Sequence, residues 1–467
     1  MENQARSFDY KNLLYILIAT ASVFPLTFFL NNFGDKTTIR LILISFPFIF
    51  AGLLNFRLAL FLFFATWLTN LYPWPLFALA HFVIPYLFIA FFITNSRLSY
   101  SDFKSVFTFP VILFVLFLLP SFINTPVVFE SAFSMLLLAG FLALILMFNM
   151  WIKSNREITF IAVTYVGLTL LNSLYLIFQG VTTGKRVFGI AGITFVDILG
   201  IAIVITFIVM LTAPKDKRAV YAFLLIILVL ASFFTKTRNV WINIGVVLFS
   251  SFIHIIVRAG YLKIEKKKLL RVGVVASVLI VLLGSFLISF YGKEFFRLES
   301  TQELTKEAIE AGEIQNSFVT RYFIWYTGFN GFLQHPVAGI GIYSFSFASE
   351  QYNQLPDLLY KKFVKDLTLH HGYYSILVEA GLIGFTGLII FLVMIFKRAR
   401  KILKQAENTE YFLPAFISFW VLIYIIISLF FTDAWFWGRM ILMWGVLMGI
   451  ISGIDKLLKA KLNTAGE

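Results

Sequence analysis

The chain has 467 residues, of which 60% are hydrophobic and only 13% charged, with a mean hydropathy of +0.88. A soluble domain carries about a quarter charged residues, so this composition excludes one and describes an integral membrane protein. The formal charge of +14 has no basic soluble domain to carry it, so nucleic acid is not an expected partner, and the absence of cysteine excludes disulfides, thiolate metal sites and a cysteine nucleophile.

In chain order, apolar segments of about 20 residues each are expected to start near Leu13, Ile39, Arg57, Pro75, Phe107, Val127, Thr159, Gly192, Ala219, Asn239, Arg271, Gly372, Phe412 and Trp437. The first lacks a small-residue cleavage site and reads as a span rather than a removed signal. The third is short, broken by Asn70 and the prolines of "YPWP". The expected fold is therefore an all-α polytopic membrane protein of about 12–14 transmembrane helices, a single membrane domain over residues 1–467.

Basic residues collect in alternate connections: "ENQARSFDYK", Arg57, "NSRLSYSDFK", "KSNR", "PKDKR", "VRAGYLKIEKKKLLR", "KRARKILK" and the tail with Lys456, Lys459 and Lys461. The positive-inside rule then makes both termini cytoplasmic. The same alternation puts the longest connection, residues 292–369, outside. Its opening "FYGKEFFRL" is expected as an interfacial amphipathic helix, and "STQELTKEAIEAGEIQNS" as a solvated stretch.

Three short connections assigned outside keep basic residues against the rule: "TGKRVFG" with Lys185 and Arg186, "TKTRNVW" with Lys236 and Arg238, and "DAWFWGR" with Arg439. Each could snorkel to headgroups or pair with an acid such as Asp197 or Asp433. Several arginines converging on one face would instead form an anion site, because guanidinium forks bind phosphate oxygens bidentately. Within the long connection, "VTRYFIWYTGFNGFLQHPVAGIGIYSF" places Arg321 and Trp325 one helical turn apart, on one face. Pro336 is expected to stop that helix, and Gly339 and Gly341 to form a tight turn that brings backbone close to a neighbour.

The stretch "LHHGYYSILVEAGLIGFTG", Leu369 to Gly387, opens a span with two histidines. His370 is expected to begin a helix on which Tyr373, Tyr374, Leu377, Gly381 and Gly384 share one face, the glycines admitting a neighbouring helix. A histidine at a helix N-terminus is held toward its neutral form and can accept a proton from an alcohol; the alternative is an interfacial histidine bonded to a loop carbonyl.

Arg238 in "TRNVW", Arg321 with Trp325 ahead of "HPVAGIGIYSF", and "HHGYYSILVEAGLIG" occur in the order found in the O-antigen ligase and O-antigen polymerase superfamily, membrane glycosyltransferases of the GT-C class, which this chain resembles from about Arg186 to Gly387. The earlier spans resemble the family only in hydropathy. His370 aligns with the family's histidine because Gly381 and Gly384 then fall in place, although His371 stands where an amide or hydroxyl is usual.

The resemblance implies a GT-C-like fold with its core at residues 186–387. It also implies transfer of a glycan from a polyprenyl (undecaprenyl) diphosphate carrier to an acceptor hydroxyl, at the outer face of the bacterial cytoplasmic membrane. His370 would be the catalytic group and Arg238, Arg321 and Arg186 the diphosphate ligands, with His371, Tyr373 and Trp325 as candidate acceptor or sugar contacts. The acceptor would be a lipid A core for a ligase, or a growing lipid-linked chain for a polymerase. No Asp-x-Asp occurs, so neither a metal nor another cofactor is expected, and the inverting displacement would rest on arginines. A lipid-linked oligosaccharide flippase is the rival from another class, but it favours charges at mid-membrane and paired repeats.

Overall fold

A computed structural model of the chain describes residues 50–69, 76–95, 104–184, 186–189, 195–261, 267, 317–432 and 438–465. The spans expected from Leu13 and Arg271, the first part of the one from Ile39, the "FYGKEFFRL" helix and nearly all of the acidic stretch after it lie outside the described residues. Those that are described form helices, turns and loops only: the protein is an all-α polytopic membrane protein. Among the described residues, seven helices are long and apolar enough to cross a membrane, and four shorter apolar helices accompany them.

The helices are α1 (Phe56–Thr69), α2 (Leu76–Thr94), α3 (Thr108–Leu118), α4 (Val128–Trp151), α5 (Asn155–Thr183), α6 (Phe195–Thr212), α7 (Lys215–Phe234), α8 (Arg238–Val257), α9 (Ser317–Gln334), α10 (Asp357–Phe363), α11 (Gly372–Gln405), α12 (Phe412–Ser428) and α13 (Gly438–Ala465). Most starts fall within a few residues of expectation. α7 begins at Lys215 rather than Ala219, because its first turn absorbs the basic "KDKR" run.

α6 is the central element, buried along nearly its whole length and packed against α5, α7, α8 and α12. α13 lies along α4, where Gly445, Gly449 and Gly453 meet Leu144, Phe148 and Ile152 with no room for a side chain. Small residues at such a seam let helices approach closely, which matters in lipid, where apolar side chains gain little by leaving the bilayer.

Hydrogen bonds and ion pairs sort the helix ends into two faces. One face gathers the start of α5 (Asn155 Nδ2 donating to Glu410 O), the ends of α8 and α11 (Arg258 with Glu407) and the end of α13 (Lys456 donating to Asn149 O). The opposite face gathers the α3–α4 connection, the α5–α6 connection, the start of α8, the loop after α9 and the start of α11. Every described segment singled out for phosphate or proton chemistry ends on this second face.

Candidate active site at the loop face

The histidine segment departs from the expected simple helix start. Helix α11 begins at Gly372, and its N-cap is His371, whose Nδ1 accepts the backbone N–H of Tyr374 at 3.2 Å. His370 lies one residue further out, in the left-handed region at φ 52°. The expectation that His370 starts the helix is corrected: the positive helix end acts first on His371, and the strained His370 backbone carries its ring out beside Thr368, with Nδ1 3.5 Å from Thr368 Oγ1. A ring nitrogen that accepts a hydrogen bond is unprotonated, so neutral His371 carries its proton on Nε2.

Four aromatic rings surround His371, with centroid separations of 5.7 Å to Trp325, 5.8 Å to Phe430, 6.1 Å to Tyr373 and 6.4 Å to Tyr374. Trp325 is 37% exposed and bonds its indole N–H to Leu369 O at 2.8 Å, while Tyr374 returns its hydroxyl to Trp325 O at 2.8 Å. Gly328 abuts Leu369, where a Cβ would come within 2.6 Å of Cδ2. These contacts bind α9 to the start of α11 and put half-exposed Arg321, one turn before Trp325, on the same side. Tyr373 packs on Phe430 and donates its hydroxyl to Ile426 O, so it holds α11 to α12.

The expected turn at Gly339 and Gly341 exists, and its close neighbour is α11 itself. The amides of Ile340 and Gly341 donate to Val378 O and Glu379 O, and those of Leu382 and Ile383 donate to Pro336 O and Val337 O. Between the two pairs, Gly381 takes φ 64° and ψ −166°. α11 is therefore two half-helices with a foreign loop completing the broken backbone bonds. This corrects the expectation of one continuous glycine face. Gly381 lets the break form, since its Cβ would lie 2.4 Å from Val337 O, whereas Gly387 does admit a neighbour, Phe117.

Glu379 completes the clamp. Buried at 6% exposure, its two carboxylate oxygens accept the N–H groups of Tyr343 and Phe345, each at 3.1 Å. Burial, and secondarily the Glu379 carboxylate, push the Tyr343 phenol above its usual range. A hydroxyl network of Thr125, Ser131 and Ser344, together with Asn124 donating to Gly339 O, anchors the same loop to the α3–α4 connection.

The arginine-bearing turns form a second cluster. Arg186 donates through Nε to Thr235 O at 3.0 Å and through Nη2 to Thr237 Oγ1 at 3.2 Å, and it lies over the Phe188 ring. Val187 N–H bonds Phe234 O, and Lys236 Nζ reaches Gly184 O. Arg186 thus grips the turn that delivers Arg238 as the first residue of α8.

Helix α12 connects the clusters. Asn243 on α8 donates to Tyr424 O, and Gly372 N–H donates to Leu429 O at 2.7 Å. Arg238 is five residues from Asn243 and Leu429 five from Tyr424, about 7.5 Å in each helix at 1.5 Å per residue. The first residue of α8 and the histidine cap of α11 therefore stand at the same height on either side of α12. Among the described residues no three His, Cys, Asp or Glu side chains gather as a metal site.

Sequence reasoning named the histidines and arginines as candidates and read Glu379 as either a buried structural acid or a relay, but it missed that Glu379 clamps the loop and that His371 is the cap. The only signal for the first was an acid inside an apolar span.

None of the curated proteins matches the chain. Residues 222–392, which carry Arg238, Arg321 and both histidines, match the family model described as O-Antigen ligase, and this match supports the resemblance to the O-antigen ligase and polymerase superfamily.

Proposed function

We propose that the protein is a metal-independent, inverting glycosyltransferase, O-antigen ligase-like, that moves a glycan from a polyprenyl diphosphate carrier to an acceptor hydroxyl at the outer face of the cytoplasmic membrane, with both termini cytoplasmic. The observation that supports this reading is that the turn carrying Arg186 and Arg238 and the histidine cap of α11 stand at one height of one face, each bonded to α12.

Arg186, Arg238 and Arg321 bind the diphosphate, whose charge grows as the bond to the anomeric carbon breaks. The N-terminus of α11 adds its positive end to the same field. The acceptor oxygen attacks the anomeric carbon from the far side, its proton passes to Nε2 of His370, and polyprenyl diphosphate leaves with the bonding electron pair. His370 suits the base role when its Nδ1–H faces Thr368, since the lone pair is then carried on Nε2. His371, with Nδ1 committed to its own helix, serves as a hydrogen-bond donor to sugar or phosphate. Trp325 presents a half-exposed ring edge on which a sugar can rest.

The test is turnover by the purified protein of a labelled polyprenyl diphosphate glycan, offered either a lipid A core or a second lipid-linked repeat unit as acceptor. Release of polyprenyl diphosphate with transfer to the core gives a ligase, and chain growth on the carrier gives a polymerase. No release with either acceptor, while the labelled lipid crosses a vesicle membrane, would replace the enzyme reading with the flippase. Arg321→Lys is expected to lose most turnover, because a point charge cannot reproduce the fork.

A further inference from the structure

Away from the loop face the bundle contains an apolar cavity of about 480 Å³. Its walls are α5, α12 and the Met443 to Ile450 stretch of α13, its floor is α6, and Tyr221 and Leu224 of α7 border it. Along α5 its lining runs from Ile158 to Leu170, a depth of about 18 Å at 1.5 Å per residue. That is close to half of a hydrocarbon core of about 30 Å. The cavity begins near the face rich in lysine and arginine, and along α12 its lining continues to Ile425, so it has the length to take an acyl chain entering from the basic side. Toward lipid its rim is Val163, 65% exposed, and Gly167, where an added Cβ would meet nothing within 4 Å.

Two polar groups at the shallow end lack partners. Thr206 lines the cavity at 3% exposure with Oγ1 making no hydrogen bond. Arg218 donates through Nη2 to Ala213 O, but its buried Nε has no acceptor. Arg218 shares a face of α7 with Tyr221, three residues on, and is therefore one turn shallower than the cavity wall. Because α6 and α7 are joined through Ala213 and Pro214, Thr206 lies about one turn, roughly 5 Å, deeper than Arg218. Exposed Lys215 and Lys217 flank Arg218, against the single acid Asp216.

We propose that this is a binding site for one anionic phospholipid of the leaflet on the basic side. The phosphate sits on Arg218 within the field of Lys215 and Lys217, an ester carbonyl accepts the Thr206 hydroxyl, and one acyl chain fills the cavity. Phosphate first and ester one step deeper is the order in which the two orphan donors occur. The phosphate end of the site, at Arg218, lies at the opposite end of the bundle from the histidine face, and the proposal does not depend on the transfer reading.

The experiment is native mass spectrometry of the full chain, stripped in detergent and then offered phosphatidylglycerol or phosphatidylcholine. The wild-type protein is expected to retain one phosphatidylglycerol. Gly167→Phe and, as a second cavity-filling variant, Val163→Trp should retain none, each with an unfolding temperature near that of stripped wild type to show that it is folded. Arg218→Gln should lose a preference of at least tenfold for phosphatidylglycerol over phosphatidylcholine, and Thr206→Val should weaken both lipids alike. Equal retention by wild type and a folded cavity-filling variant would overturn the proposal, as would a polyprenyl phosphate found as the retained molecule.

Discussion

The two ends of the bundle are held by different chemistry. At the basic end, charged side chains tie helix to helix: Arg258 with Glu407, Lys461 with Glu410 at 3.4 Å, Arg57 with Glu157 at 3.9 Å, and Arg398 and Lys456 on the carbonyls of Val106 and Asn149. At the loop end the ties are backbone bonds across the break in α11, the Glu379 clamp and neutral hydroxyls. These cations at the first end act as fasteners between helices. At the second end, neutral groups and one buried acid do the fastening, and the guanidinium of Arg186 braces the turn from which Arg238 starts.

If the division is real, breaking the loop-end ties should cost more than breaking those at the basic end. The largest effect is expected for Gly381→Val, which puts a branched side chain at a positive φ and against Val337 O. A loss of about 3 kcal/mol or more is expected, read as a lower unfolding temperature together with protease cleavage near residues 336–345.

This break is the part of the site that the sequence concealed. Gly381, Gly384 and Gly387 on one helical face read as a packing stripe, and nothing local distinguishes a glycine that admits a helix from one that opens it. The deciding partner, Pro336 to Gly341, is some forty residues earlier in the chain and outside any periodic pattern. By contrast the spans were legible, because a helix crossing lipid must be apolar over a fixed length. The close approach at Gly339 and Gly341 was also legible as a requirement, though not its target. The positions of the two histidines relative to the cap were missed by one residue, since the left-handed backbone of His370 depends on Leu369 being held by Trp325 and Gly328.

Next in size is Glu379→Ala, which leaves two buried amides without acceptors, at about 1–3 kcal/mol apiece. Glu379→Gln, which keeps one acceptor oxygen, should restore roughly half of the loss in thermal unfolding. Tyr374→Phe removes a single bond, to Trp325 O, and is expected to cost about 1 kcal/mol. Its sharper signature should be a changed fluorescence of Trp325 and a raised KM for the acceptor. The smallest effect is expected at the opposite end. Arg258→Gln breaks a partly exposed ion pair, worth about 1 kcal/mol or less, and should leave transfer unchanged. A large loss of transfer there would erase the distinction between the ends.

The most direct measurement compares single-turnover transfer by purified His370→Ala and His371→Ala, with binding of the polyprenyl diphosphate glycan measured alongside. The account predicts that His370→Ala binds the donor normally but transfers about 10²–10⁴-fold more slowly, while His371→Ala, which loses a cap, falls by a smaller factor and also unfolds more easily. Transfer by His370→Ala at the wild-type rate would contradict it.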